Sequence, residues 1–162
     1  MLKAKLDSVR KNKKGFSLVE LIIVIAIMVA LIAVMAPAFV KYVQKSRDAA
    51  LATAAEDFEK AVQTFAGDPD TDPALLTNGS TIVIKVAAGG SDGVTGTDTG
   101  KFYLSITKTG TLTDDTLTQL ITLAGADRSK PMGKTDKQYT ISIANTNGDV
   151  SISMAESTVS GG

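Results

Sequence analysis

Between Phe16 and Val40 only Ser17 and Glu20 are polar; every other position is apolar. A run of this length exceeds the ~20 residues that cross a bilayer as a helix at ~1.5 Å each. From Lys41 to Ala66 there is no Gly or Pro, and Val43, Ala50, Ala54, Phe58, Ala61, Val62 and Phe65 recur at three- and four-residue spacings. That stripe predicts an amphipathic continuation of the same helix with its apolar side in a core. Lys45, Asp48, Glu56, Glu59 and Lys60 fall on other faces, with Glu56 and Lys60 spaced as an i,i+4 pair. Gly67, Pro69 and Pro73 are stop signals.

Beyond the stop the period changes to two. Ile82, Ile84 and Val86 alternate with less apolar neighbours, as do Phe102, Leu104 and Ile106, which predicts two half-buried strands. Residues 88–100 hold five glycines among Ser, Asp and Thr and read as a flexible loop. Thr113-Asp114-Asp115 opens a short helix with Leu117, Leu120, Ile121 and Ala124 on one face, and Gly125 closes it. Asn147-Gly148 is the preferred dipeptide of a two-residue hairpin turn. With it at the tip, Thr146 faces Asp149, Ile143 faces Ile152 and Ile141 faces Met154, so apolar residues oppose one another. The expected head is α+β, a small antiparallel sheet of three or four strands packed on residues 43–65.

Charge gives the apolar run a direction. Residues 1–15 carry Lys3, Lys5, Arg10, Lys11, Lys13 and Lys14 against Asp7 alone. By the positive-inside rule this leader stays in the cytoplasm and the chain after Val40 goes outside. An ordinary secretory signal is cut after a shorter apolar stretch. Here the plausible cut lies before it, after Gly15, where the lack of a side chain lets a protease approach the backbone. Glu20 is then the one charge in the run, at a cost of roughly 2.5–3.5 kcal/mol at a bilayer centre and less near an interface. The α-amine of Phe16 freed by such a cut is the natural compensating charge.

The neutral total of 17 basic and 17 acidic groups is a product of the leader, without which the remainder is acidic. An acidic surface offers no basis for nucleic-acid binding. With no Cys and no His, thiolate chemistry, disulfides and the commonest general base and metal ligand are excluded. Asp68, Asp70 and Asp72 alternate, but the glycine and terminal glutamate of a calcium loop are missing, and a solvated turn accounts for them. A cation joining that loop to Asp92 or Asp98 is the weaker alternative. No catalytic set, cofactor motif or metal cluster emerges, and the reading is not that of an enzyme.

Lys14-Gly15-Phe16-Ser17-Leu18-Val19-Glu20-Leu21, followed by the unbroken apolar helix, resembles the prepilin signature of type IV pilins. Pro37 and Tyr42 fall where many members have a proline and a tyrosine, and the resemblance covers roughly residues 13–55. It implies removal of leader 1–15 by a membrane prepilin peptidase cutting between Gly15 and Phe16, with N-methylation of Phe16. It implies a hydrophobic transmembrane and filament-core segment 16–40, an amphipathic half 41–66 and a globular head 67–162. Glu20 is expected to neutralise the Phe16 amine of a neighbouring copy, and Pro37 to kink or loosen the helix. Family members often carry a glycine earlier in the helix, where this chain has Val29.

The implied partners are other copies in a helical filament, the prepilin peptidase, a pilus assembly platform with its ATPase, and the plasma membrane before export to an extracellular pilus. A pseudopilin of a type II secretion or competence system shares the leader and is the alternative. The lack of Cys departs from the disulfide-closed heads of many Gram-negative pilins and is compatible with a Gram-positive source.

Overall fold

A computed structural model describes residues 16–70, 75–76, 78–91, 93–98, 100–146 and 149–159. Its elements are α1 (Leu18–Gly67), β1 (Ser80–Ala88), β2 (Phe102–Thr109), α2 (Asp114–Leu123), β3 (Pro131–Met132), β4 (Lys137–Thr146) and β5 (Asp149–Thr158). The chain divides after Tyr42 into two units. In the first, α1 presents its apolar side chains outward, and none of its most apolar window is buried. The helix assignment continues without interruption through Pro37.

The second unit is the expected α+β body. Its sheet is antiparallel with strand order β3-β2-β1-β4-β5. Five strands replace the three or four expected, because two-residue β3 carries no periodic signal. Alternation in β1 buries Ile82, Ile84 and Val86. Rows of apolar residues cross the strands: Ile106, Ile84 and Tyr139 align, as do Ile82, Ile141 and Met154. The β4–β5 register is the one the hairpin dipeptide dictates, with Thr146 opposite Asp149, Ile143 opposite Ile152 and Ile141 opposite Met154. Asn147 and Gly148 themselves lie outside the described residues.

The second half of α1 lies against this sheet through Leu51, Ala55, Phe58, Val62 and Phe65, alternately four and three residues apart, with Ala61 beside them. The stripe is therefore rotated from the expected one at its start. Leu51 and Ala55 are buried, Val43 and Ala54 are half-buried, and Ala50 is exposed. Alanine tolerates either environment, so alanine spacing did not set the phase; the larger Leu51 did. Nor does Lys60 pair with Glu56: it reaches Asp57, three residues back, at 3.5 Å.

Helix α2 follows its local code. The Thr113 Oγ1 accepts from the Thr116 N–H at 3.1 Å, while Asp114 and Asp115 occupy the positive end of the helix dipole. At the other end Gly125, at φ 63°, donates to Thr122 O, and Ala126 donates to Ile121 O, which completes a Schellman closure.

The glycine-rich segment after β1 is held rather than free. The Ile106 N–H donates to Gly93 O at 3.3 Å, and the Gly90 N–H to Gly96 O at 2.9 Å. A Cβ at Gly96 would fall 2.2 Å from the buried Tyr103 ring. The glycines are here for close approach, and they explain why Tyr103 and Ser105, on the face of β2 opposite Leu104 and Ile106, are also buried. Together with β3, this segment also covers the outer edge of β2.

Candidate functional site

The residues singled out for processing and assembly lie at the start of α1. Gly15 lies outside the described residues. Phe16 is 87% exposed and precedes the helix. Ser17 caps it: the Leu21 N–H makes the first helical bond to Ser17 O at 3.2 Å, and the Val19 N–H approaches Ser17 Oγ at 3.4 Å. Glu20 reaches back, its Oε2 accepting from the Ser17 N–H at 2.8 Å. Ser17-Leu18-Val19-Glu20 is thus a capping box, in which the carboxylate satisfies a backbone donor that the helix leaves unpaired.

This gives Glu20 a role that the sequence reading missed, although the Ser-x-x-Glu spacing announced it. The carboxylate oxygen stands at the N–H of Ser17, one residue from the Phe16 nitrogen. It also lies in the first turn of α1, at the positive end of a long helix dipole. The arrangement collects negative charge at the point where a cut after Gly15 would create an amine. Both oxygens can accept hydrogen bonds, so the cap leaves acceptor capacity for a cation.

From this point to Val40 the surface is apolar on all sides. Leu21, Ile25, Met28, Ile32, Met35 and Phe39 share one face and Val19, Ile23, Ile27 and Val34 the opposite one, and all are exposed. α1 is long and apolar enough to cross a membrane. A helix greasy all round belongs in lipid or among other helices. Pro37, within this stretch, has no N–H to offer the carbonyl four residues earlier.

The acidic positions elsewhere are accounted for locally. Asp98 is held by Lys101 at 2.7 Å, and that contact lowers its pKa from the ordinary value. The Asp70 N–H donates to Asp68 Oδ1 at 3.0 Å in a turn that closes on itself. Asp72 and Asp92 lie outside the described residues. Among the described residues no group of three Asp, Glu, His or Cys side chains is arranged to hold a metal ion.

Residues 10–36 match the family model of the prokaryotic N-terminal methylation motif. The chain therefore carries a type IV pilin-like prepilin signature, and the match spans Arg10, Lys11, Lys13 and Lys14, the capping box and most of the apolar run. The chain matches no curated protein and no solved structure. Signature, long apolar helix and antiparallel sheet together support a type IV pilin-like or pseudopilin protein, and the motif points to a structural role.

Proposed function

We propose that the chain is the structural subunit of a type IV pilus. Residues 1–15 are a leader that a prepilin peptidase removes by cutting between Gly15 and Phe16, and Phe16 is then N-methylated. Segment 16–40 anchors the subunit in the plasma membrane, with its N-terminus cytoplasmic and head 67–162 outside. The same segment later forms the core of an extracellular helical filament, and amphipathic half 41–66 carries the head. An assembly platform and ATPase drive the transfer. Glu20 pairs with the Phe16 amine of the adjoining copy, and Pro37 provides the point at which the helix bends.

The observation that carries this reading is the uniformly exposed apolar segment before Lys41, with its one carboxylate set at the start of the helix, inside the methylation motif. Such a surface is stable only in lipid or against copies of itself. In either place a lone carboxylate needs a counter-charge, which the freed terminus supplies. Two charges at ~4 Å with an effective dielectric of ~20 attract by about 4 kcal/mol, enough to impose one axial register on neighbouring helices.

Electron microscopy of sheared surface material, with N-terminal sequencing and intact mass of the subunit, tests the proposal. Long fibres containing a chain that begins at methylated Phe16 are the expected result. Retention of residues 1–15 in those fibres overturns the processing step. A processed chain that never leaves short, envelope-bound assemblies instead identifies a pseudopilin of a secretion or DNA-uptake machine.

A further inference from the structure

The two edges of the sheet differ. The outer edge of β2 lies under β3 and the glycine-rich segment, whereas β5 ends the strand order with no strand beyond it among the described residues. β5 pairs with β4 at every position from Asp149 to Thr158, without a bulge. It contains neither Lys nor Pro, residues that commonly blunt an exposed edge. Its charges are Asp149 and Glu156, and Glu156 is engaged by Lys137 at 2.5 Å and by Tyr139 at 3.0 Å.

Ladder parity fixes which backbone groups face outward. Just past the strand, the Val159 N–H donates to Asp136 O at 2.6 Å. Bonded positions in an antiparallel pair recur every second residue, so Asp149, Ser151, Ser153, Ala155 and Ser157 bond to β4. The N–H and C=O groups of Val150, Ile152, Met154, Glu156 and Thr158 therefore point away from the sheet, and among the described residues no backbone group meets them. Val150, Ile152 and Met154 also form an apolar row that is only half-buried against the core. A hollow of about 460 Å³ opens beside this row, between Gln63, Ala66 and Gly67 of α1 and Asp149, Val150 and Ile152 of β5. The core thus runs out to an edge that offers both hydrogen-bonding groups and apolar side chains.

We infer that β5 of a second copy pairs antiparallel with this edge, Ile152 standing opposite its own counterpart. The strand is self-complementary in that register. Val150 falls opposite Met154, Ser151 opposite Ser153 and Asp149 opposite Ala155, so apolar meets apolar on the α1 side and hydroxyl meets hydroxyl on the other. Registers centred on Ser153 or Met154 set Glu156 against Val150 or Ile152, and one centred on Ser151 pairs a shorter stretch. The incoming methionine lies at the mouth of the hollow beside Val150, and its flexible thioether suits an irregular gap. The contact is isologous: both copies use the same patch. Asp149–Ala155 is far shorter than the ~20–30 residues a side of a stable interface, so two heads alone associate weakly. Heads arrayed along fibres meet many times over, and the pairing then holds neighbouring fibres together by avidity. That setting rests on the filament reading; the strand pairing itself needs only two heads.

The test uses the full chain in cells that assemble it. Ile152→Lys and Ile152→Glu each set a charge against its like, and each is expected to cut the bundled fraction that sediments at low speed about tenfold while single fibres remain. Mixing the two kinds of fibre opposes unlike charges and is expected to restore bundling. The chain has no Cys, and Cα atoms of a bonded antiparallel pair stand ~5.5 Å apart, within disulfide reach. Ile152→Cys is therefore expected to oxidise to a dimer, and Thr158→Cys, beyond the paired stretch, to stay monomeric. Bundles that survive both charged variants overturn the contact, as does a mixture that stays dispersed while Ile152→Cys gives no dimer. Purified unaltered fibres that bundle only when a second protein is added back also overturn it, since that protein then holds the edge. If a charged variant yields no fibres, the dimer assay decides, and absence of the Ile152→Cys dimer refutes the pairing. A dimer from processed chains that form no fibres keeps the pairing and refutes the filament reading instead.

Discussion

Glu20→Gln separates the two roles of the residue at the start of α1. Glutamine keeps the side-chain oxygen that accepts from the Ser17 N–H at 2.8 Å, because Gln serves at the third position of a capping box as Glu does. What it removes is the unit charge. Losing a cap costs about 0.5–2 kcal/mol, and this substitution spares that contribution. Losing a charge pair at ~4 Å with an effective dielectric of ~20 costs about 4 kcal/mol. At about 1.4 kcal/mol per factor of ten, the charge accounts for roughly a thousandfold in subunit association, whereas the cap accounts for about thirtyfold at most. Sheared filaments measured by immunoblot against membrane-retained subunit, with fibres counted by electron microscopy, give the comparison. Glu20→Gln and Glu20→Ala should both leave the subunit in the membrane and both abolish most fibre growth. Normal fibres from Glu20→Gln, with loss only in Glu20→Ala, would reduce Glu20 to a helix cap and refute the charge argument.

Three further outcomes follow from the packed head. Phe58 is fully buried at the centre of the α1 stripe, so Phe58→Ala should lower stability by about 3–5 kcal/mol; an unchanged melting temperature by circular dichroism would contradict the assigned core. Gly96→Ala forces a methyl group into the Tyr103 ring and should cost about 1–3 kcal/mol, read as faster amide exchange across the glycine-rich segment; unaltered protection there would show that the segment is not packed on Tyr103. The Lys137–Glu156 contact at 2.5 Å lowers the Glu156 pKa from 4.5, chiefly through the hydrogen bond from Lys137, and raises that of Lys137 from 10.5, chiefly through the hydrogen bond to Glu156. The Glu156 contribution is present above pH 4.5 and is lost as pH falls through its lower folded value; the Lys137 contribution is present below pH 10.5 and is lost as pH rises through its higher one. Lys137→Met should therefore flatten the acid side of the melting-temperature profile, an effect that shrinks in salt, and an identical profile would remove the pair from the account.

What residue order decided alone was whatever near neighbours decide. The apolar run, the helix stop at Gly67, the Thr113 cap, the Gly125 closure and the β4–β5 register each depend on groups within a few positions of one another. Their chemistry was therefore visible in the chain, as was the capping box, once Ser17 and Glu20 are taken together. Contacts between distant segments decided the rest. Whether Ala50 or Leu51 turns inward depends on which side of α1 the sheet covers, and no alanine reports that. The glycines after β1 read as slack because their partner, Tyr103, becomes close only through folding. β3 exists because Pro131 and Met132 are brought beside β2, and Arg47 lies against Gly133, far away in sequence, where a Cβ would collide with its side chain. Periodicity encodes how an element faces its surroundings; only three-dimensional packing chooses what those surroundings are.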